Sequence, residues 1–276
     1  MNVLVTLLTI CAVVFLYLHV VFHLKTSNDL EIYDLELPNK NKLEEVCNLR
    51  QPLLFDFWND DLMKCSPAHF KHDAFDLNVV DPSNVAVPLS AGKAIALFSK
   101  SPHYTENNFD FLQETLLVRS YEKNDFLFRP PTVVQIRYDL IFGGENATTK
   151  LKYSDCYRNY FLATAGEVTV KLAPPRNSRY LYVKKDYETD EFYSEIDPWA
   201  DTTDKVKYLD LTLKKGQMLY IPAYWFYSFK IGKEGCLCTF HYKTVMNIVA
   251  TLPDILVGIL QRQNTKTVIA HTTEEK

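Results

Sequence analysis

The chain has 276 residues, 47% of them hydrophobic, 23% charged and 13% aromatic, enough apolar material for one sizeable core. A formal charge of −4 gives no broad basic field, which argues against nucleic acid as a partner. With only 8 glycines, and neither a GxGxxG nor a Walker-type run, the sequence offers no phosphate-cradling loop, so nucleotide chemistry is not expected.

The first element is apolar from end to end. Residues 3–22 read VLVTLLTICAVVFLYLHVVF, without an Asp, Glu, Lys or Arg. At 1.5 Å per residue, a helix of that length matches a hydrocarbon core about 30 Å thick. A cleaved signal peptide is the rival reading, and it would want a basic start, a shorter apolar stretch and small residues at the cleavage site. Only Met1 and Asn2 precede the run, which ends in bulky residues. Residues 1–24 are therefore expected to be a retained single-pass transmembrane anchor, with the lipid membrane as the partner of residues 3–22. Lys25, Lys40 and Lys42 follow the span and favour a body on the cytoplasmic side. Asn146-Ala147-Thr148 is a glycosylation sequon, which matters only for a lumenal body and often arises by chance. His19 sits inside the span with no partner for a proton relay.

Residues 25–50 read as a linker and a first helix around Lys42–Leu49, and QPLLFDF at 51–57 as a short buried strand. Residues 58–130 mix helical and loop segments, with turn signals at Asp81-Pro82 and Arg129-Pro130-Pro131. From Thr132 onward the period becomes two. Val168, Val170 and Leu172 alternate with polar neighbours, as do Leu209, Leu211 and Leu213, and Trp225, Tyr227, Phe229 and Ile231. Short strands separated by turns, without intervening helices, predict a mainly β fold with flanking helices, an antiparallel sandwich or barrel. The period then changes to three and four from Val245 to Leu260, which predicts an amphipathic helix over 244–263 that Pro253 kinks or splits. Its stripe packs either on the barrel or on a second copy, as a homodimer. Residues 264–276 are polar and read as a flexible tail.

Six cysteines are spread along the chain, and one of them, Cys11, lies in the anchor. The odd number left in the body and the absence of framework spacing predict buried thiols in a reducing compartment.

Two stretches carry a resemblance. The first is Tyr153-Ser154-Asp155, then Asn159, then Gly166. The second is Leu211-Thr212-Leu213, Gly216-Gln217, Leu219-Tyr220-Ile221-Pro222, then Trp225-Phe226-Tyr227. Together they are similar to the JmjC-type cupins, the double-stranded β-helix (jelly-roll) fold of iron- and 2-oxoglutarate-dependent oxygenases, and most similar to the branch of the asparaginyl hydroxylase that acts on the hypoxia-inducible factor. The resemblance implies a cupin domain over 51–243. It places the family's metal ligands, two histidines and a carboxylate, on Tyr153, Asp155 and Tyr227. It also places the lysine that pairs with 2-oxoglutarate on Val168, and it makes Asn159, Trp225 and Phe229 pocket-lining.

Neutral imidazole suits Fe(II), whereas a tyrosine must first lose a proton with a pKa of about 10. The metal set is thus expected to be degenerate, with no catalytic residue, no metal and no cofactor. The alternative is a protein hydroxylase that uses iron and 2-oxoglutarate through substituted ligands. Two-residue parity puts Tyr227 inside the barrel and puts Tyr153 and Asp155 on one face. Phenol hydroxyls satisfying Asp155 in a plug, a tyrosinate-bound metal and a small polar ligand are the three fillings considered. His69 and His72 lack a third ligand, His241 is expected to be partly exposed, and Cys156 has no basic activator. The sequence reads as a membrane-anchored, JmjC-like pseudoenzyme that binds an unidentified protein partner. Cupins of this form also occur in large DNA viruses, with which the Asn/Lys/Tyr-rich composition is compatible.

Overall fold

The apolar N-terminal run forms one helix, α1 (Val3–Leu24), uninterrupted by glycine or proline. It is long and apolar enough to cross a membrane, with a mean hydropathy of 2.5 over its most apolar window. Its last two turns face the body, through half-buried His19 and Val20 and buried His23. The computed structural model describes residues 3–36, 38–70, 75–82, 85–187, 191–200 and 205–264.

After α1 come β1 (Tyr33–Asp34), α2 (Lys40–Cys47), β2 (Leu53–Asp56) and α3 (Asp60–Met63). The first body helix begins at Lys40, before the expected Lys42, because the Asn39 side chain accepts the Lys42 N–H at 2.9 Å and caps it there. Asn59 caps α3 in the same way. Next follow β3 (Asp76–Val80), β4 (Ala86–Ser90), α4 (Ala91–Phe98), β5 (Tyr104–Thr105), α5 (Phe109–Glu114) and α6 (Val118–Asn124). The strand-rich half holds β6 (Val133–Gly143), β7 (Lys152–Tyr153), β8 (Arg158–Ala165), β9 (Glu167–Ala173), β10 (Val183–Asp186) and β11 (Glu191–Ser194). It continues through β12 (Leu209–Lys214), β13 (Gln217–Ile221), β14 (Phe226–Ile231) and β15 (Cys236–Thr244) to α7 (Val245–Ala250) and α8 (Leu252–Asn264).

The strands make two sheets. One has the order β1-β2-β13-β8-β15-β6-β5-β3-β4, the other β10-β11-β7-β14-β9-β12. Their facing sides enclose one core, in which Val168, Val170 and Leu172 of β9 meet Phe161 and Ala163 of β8 and Leu219 of β13. A second core lies on the outer side of the larger sheet, where Tyr138, Leu140, Phe240 and Tyr242 pack against Leu43, Leu112 and Tyr121 of the helices. The central strands of the larger sheet, β13, β8 and β15, are therefore buried on both faces, and this decides where several polar residues end up. A third, small cluster around Leu151, Leu181 and Phe226 covers the outer side of the smaller sheet.

Two turns need glycine. Gly166, between β8 and β9, has φ +55°, and a Cβ there would stand 2.4 Å from the Lys233 carbonyl oxygen. Gly216, between β12 and β13, has φ +87° and lies against the Trp58 ring. All six cysteines are free thiols, and Cys47, Cys65, Cys236 and Cys238 are buried. The C-terminal helix is split, as the proline predicts: α7 is capped by Thr244, which accepts the Asn247 N–H at 3.2 Å, and α8 restarts next to Pro253. Its stripe does not pack on the barrel, because Leu252, Leu256, Ile259 and Leu260 face outward.

Candidate functional site

The alternation on β14 does what the sequence predicts. Trp225, Tyr227, Phe229 and Ile231 are buried between the sheets with Val168, and Phe161 packs its ring against both Tyr227 and Phe229, centroids 5.1 and 4.9 Å apart. These side chains line a filled interior, not an open pocket. Toward one end of the barrel the lining turns polar. Lys152 sits directly across from Tyr227 in the β7–β14 pairing and so points the same way, inward. Its ammonium forms an ion pair with Glu106, at the end of β5. Burial alone would lower the Lys152 pKa, but Glu106, with Tyr227 and Tyr104 nearby, holds it above its ordinary value.

Three more strands add polar groups to the same interior. His241 of β15 lies opposite Asn159 of β8 and Arg137 of β6. His241 Nδ1 donates to Asn159 Oδ1 at 2.7 Å, while Asn159 Nδ2 donates to the carbonyls of Cys156 and Ile221, both at 3.2 Å. Burial, then Arg137, Lys152 and Lys243, keep the imidazole pKa well below its usual 6.5, so it is neutral. Two residues further along β15, Lys243 Nζ meets the Asp155 carboxylate at 3.0 Å, each side chain 9% exposed. The main chain is tied here as well, since Asn247 Nδ2 of α7 donates to the Asp155 carbonyl at 3.1 Å.

Several sequence expectations need correction. Tyr153 does not face the barrel. It follows inward-pointing Lys152, so it turns to the outer side of the smaller sheet, where it stacks on Phe192 at 5.1 Å and meets Phe226 edge-on at 5.1 Å. There it borders an open surface hollow of about 390 Å³ with Tyr224, Arg179 and Lys185. Asp155 shares no strand face with Tyr153, because β7 ends at Tyr153 and a turn follows, in which Ser154 Oγ accepts the Cys156 N–H at 3.1 Å. The buried Asp155 carboxylate is paired with the Lys243 ammonium, and Tyr153, expected in a plug beside it, lies on the outer side of the smaller sheet. His241 is buried, not partly exposed, because the sheet behind it is covered on both faces. His69 pairs with Ser66 at 2.9 Å, and His72 lies outside the described residues. Burial, with Asp155 alongside, pushes the Cys156 thiol up to about 11, which suits no nucleophile.

Sequence reasoning missed Glu106, Arg137, Lys152 and Lys243. A signal existed: Arg137 and Asp139 on β6, like His241 and Lys243 on β15, alternate with large apolar residues. That pattern reads as a solvent-facing strand, yet here the polar parity faces the barrel interior.

A family model described as a cupin-like domain matches residues 75–247. The chain belongs to that family. No curated protein matches it. The cupin-like fold is thus mainly β with flanking helices, and β1 and β2, which precede the matched segment, extend its larger sheet.

Whether this cupin-like domain suits the iron of the oxygenases it resembles is a question of donors. Two imidazoles and a carboxylate must converge. Among the described residues no three His, Cys, Asp or Glu side chains gather. Burial raises the Tyr227 phenol, only partly opposed by Lys152, and it raises the Tyr153 phenol too, so neither is poised to become a phenolate ligand. Val168, where the cosubstrate lysine would stand, is fully buried among apolar side chains. These side chains do not fit a two-histidine, one-carboxylate iron centre or a 2-oxoglutarate site at the resemblance's positions.

Proposed function

We propose that this is a membrane-anchored cupin-like domain that has given up Fe(II)/2-oxoglutarate oxygenase chemistry and works as a binding or structural module, its body on the cytoplasmic side. The observation that carries this reading is the divergence of Tyr153, Asp155 and Tyr227. One lies on the outer side of the smaller sheet, one is matched by Lys243, and one is packed in the core beside the Lys152–Glu106 pair. A barrel scaffold does not dictate chemistry, and here the polar interior is spent on internal pairing. α1 supports the anchor by its length and composition. The Asn/Lys/Tyr-rich composition is in keeping with a large DNA virus as the source.

The test is turnover. Full-length protein in detergent, supplied with Fe(II), ascorbate and 2-oxoglutarate, is expected to form no succinate above the buffer control, with or without a peptide library. Succinate formation that disappears in Asp155→Ala would show a hydroxylase with substituted ligands and overturn the reading.

A further inference from the structure

The two C-terminal helices present an apolar stripe that no described residue covers. Val245 and Val249 on α7, then Leu252, Leu256, Ile259 and Leu260 on α8, follow one another at spacings of three and four and are all exposed, Leu260 by 59%. The stripe runs unbroken across the junction because Thr251 keeps a near-helical turn, its carbonyl accepting the N–H groups of Asp254 and Ile255 at 3.0 and 3.1 Å. No charged residue interrupts it. The opposite side of α8 is the one held by the body: Gly258 closes on Tyr187, where a Cβ would stand 2.7 Å from the carbonyl oxygen, and Gln261 Nε2 donates to Asp186 at 3.4 Å. A soluble domain rarely leaves so continuous an apolar face open to water.

The stripe begins on α7, beside the end of α1. α7 packs against α1, and Thr244 and Met246 share a hollow with Leu18, His19, Phe22 and His23 at the helix's C-terminal end. Among the described residues, only these last turns of α1 meet the body, and most of the helix before them is exposed. If α1 spans a bilayer, the point where α7 meets it is the rim of the hydrocarbon core. We infer that α7 and α8 lie in the membrane interface, their Val/Leu/Ile stripe dipped into the acyl boundary, so that the domain is docked on the lipid surface at a second place besides its anchor. This inference rests on the reading of α1 as a membrane span. Docking of this kind holds the barrel in one orientation to the bilayer, where a lone span with a linker would let it swing.

The experiment uses the full chain in phosphatidylcholine/phosphatidylserine nanodiscs. An NBD label is placed at Leu256→Cys or, as a control, at exposed Thr212→Cys on the far edge strand of the smaller sheet, both in a Cys11→Ser, Cys156→Ser background. The label at 256 is expected to be quenched several-fold more strongly by doxyl lipids than the label at 212, and to be shielded from aqueous iodide. Iodide quenching at 256 equal to that at 212 would show the stripe open to water, and quenching by neither agent would show it covered by protein, such as a second copy. Either result overturns the inference. Carbonate extraction of the same chain from membranes judges α1 separately. A chain that stays in the bilayer without lipid contact at 256 refutes only the docking, and a chain that is extracted refutes the anchor whatever the label reports.

Discussion

Cutting Asp155 back to alanine would take a carboxylate away from the buried Lys243 ammonium. Both side chains are 9% exposed and their charged atoms are 3.0 Å apart, so the pair is almost fully withdrawn from water. Removing one member of such a pair costs about 3–5 kcal/mol, because the remaining charge keeps its desolvation penalty and loses its compensation. A position at the end of the barrel lets some water relax around Lys243, which favours the lower end, about 3 kcal/mol. The Asn247 bond to the Asp155 carbonyl is unaffected, since it goes to the main chain. Replacing both members, Asp155→Ala with Lys243→Met, removes the buried ammonium as well and should recover at least half of the loss, as exchange of a buried pair for apolar groups is often nearly neutral. Urea unfolding of the micelle-solubilised full chain, followed by tryptophan fluorescence, measures all three variants, and an unchanged denaturant slope confirms that the same transition is compared. An Asp155→Ala cost below about 1 kcal/mol, the size of a surface pair, or no recovery in the double variant, would refute the reasoning.

Other outcomes follow from the same geometry. His241 faces Asn159, Arg137, Lys152 and Lys243, and its pKa is lowered well below 6.5, first by burial and then by those cations. Above pH 6.5 its contribution to stability is complete. As the pH falls toward the folded-state pKa the unfolded chain gains a proton that the folded chain refuses, so stability should drop by up to about 1.4 kcal/mol per pH unit. Denaturation series between pH 7 and pH 5 should show that slope, and His241→Gln should flatten it. Arg50 donates to the Phe22 carbonyl at 3.4 Å and lies over the rings of Phe22 and Tyr157. Arg50→Ala gives up a desolvated cation–π contact worth about 2 kcal/mol, so the Lys25 amide at the end of α1 should exchange up to about thirty-fold faster; unchanged exchange would place the docking of α1 elsewhere. Asn146 is exposed in its sequon, so a cytoplasmic body predicts no glycosidase-sensitive mobility shift on a gel, and a shift would put the body in the lumen.

The inner face of the barrel was legible where strands are long and regular. The alternations at 168–172 and 225–231 place their side chains correctly, because a strand's parity holds as long as its pleat does. It failed at Tyr153, since β7 is only two residues long and the turn at Ser154 resets the direction of Asp155. Glu106 and Lys152 lie far apart in sequence, one just past a two-residue strand and one on another, and no local pattern announces that they meet. His241 and Lys243 misled for a different reason. A strand with one aromatic and one polar face looks half-exposed, yet the helices cover the aromatic side of β15 and the second sheet covers the polar side. The break at Pro253 was readable from proline's missing N–H, whereas the outward turn of the stripe depends on α7 meeting α1, a tertiary contact.

Iron binding tests the central claim most directly. The full chain, loaded anaerobically with Fe(II), desalted and assayed for metal, should be compared with Tyr153→His/Tyr227→His, which restores the family's ligand types in sequence. Because the side chain at 153 points out of the barrel and Asp155 is held by Lys243, neither protein should retain stoichiometric iron. One equivalent of iron on the wild-type chain, lost in Asp155→Ala, or its recovery in the double-histidine variant, would contradict the claim that these positions no longer form a metal centre.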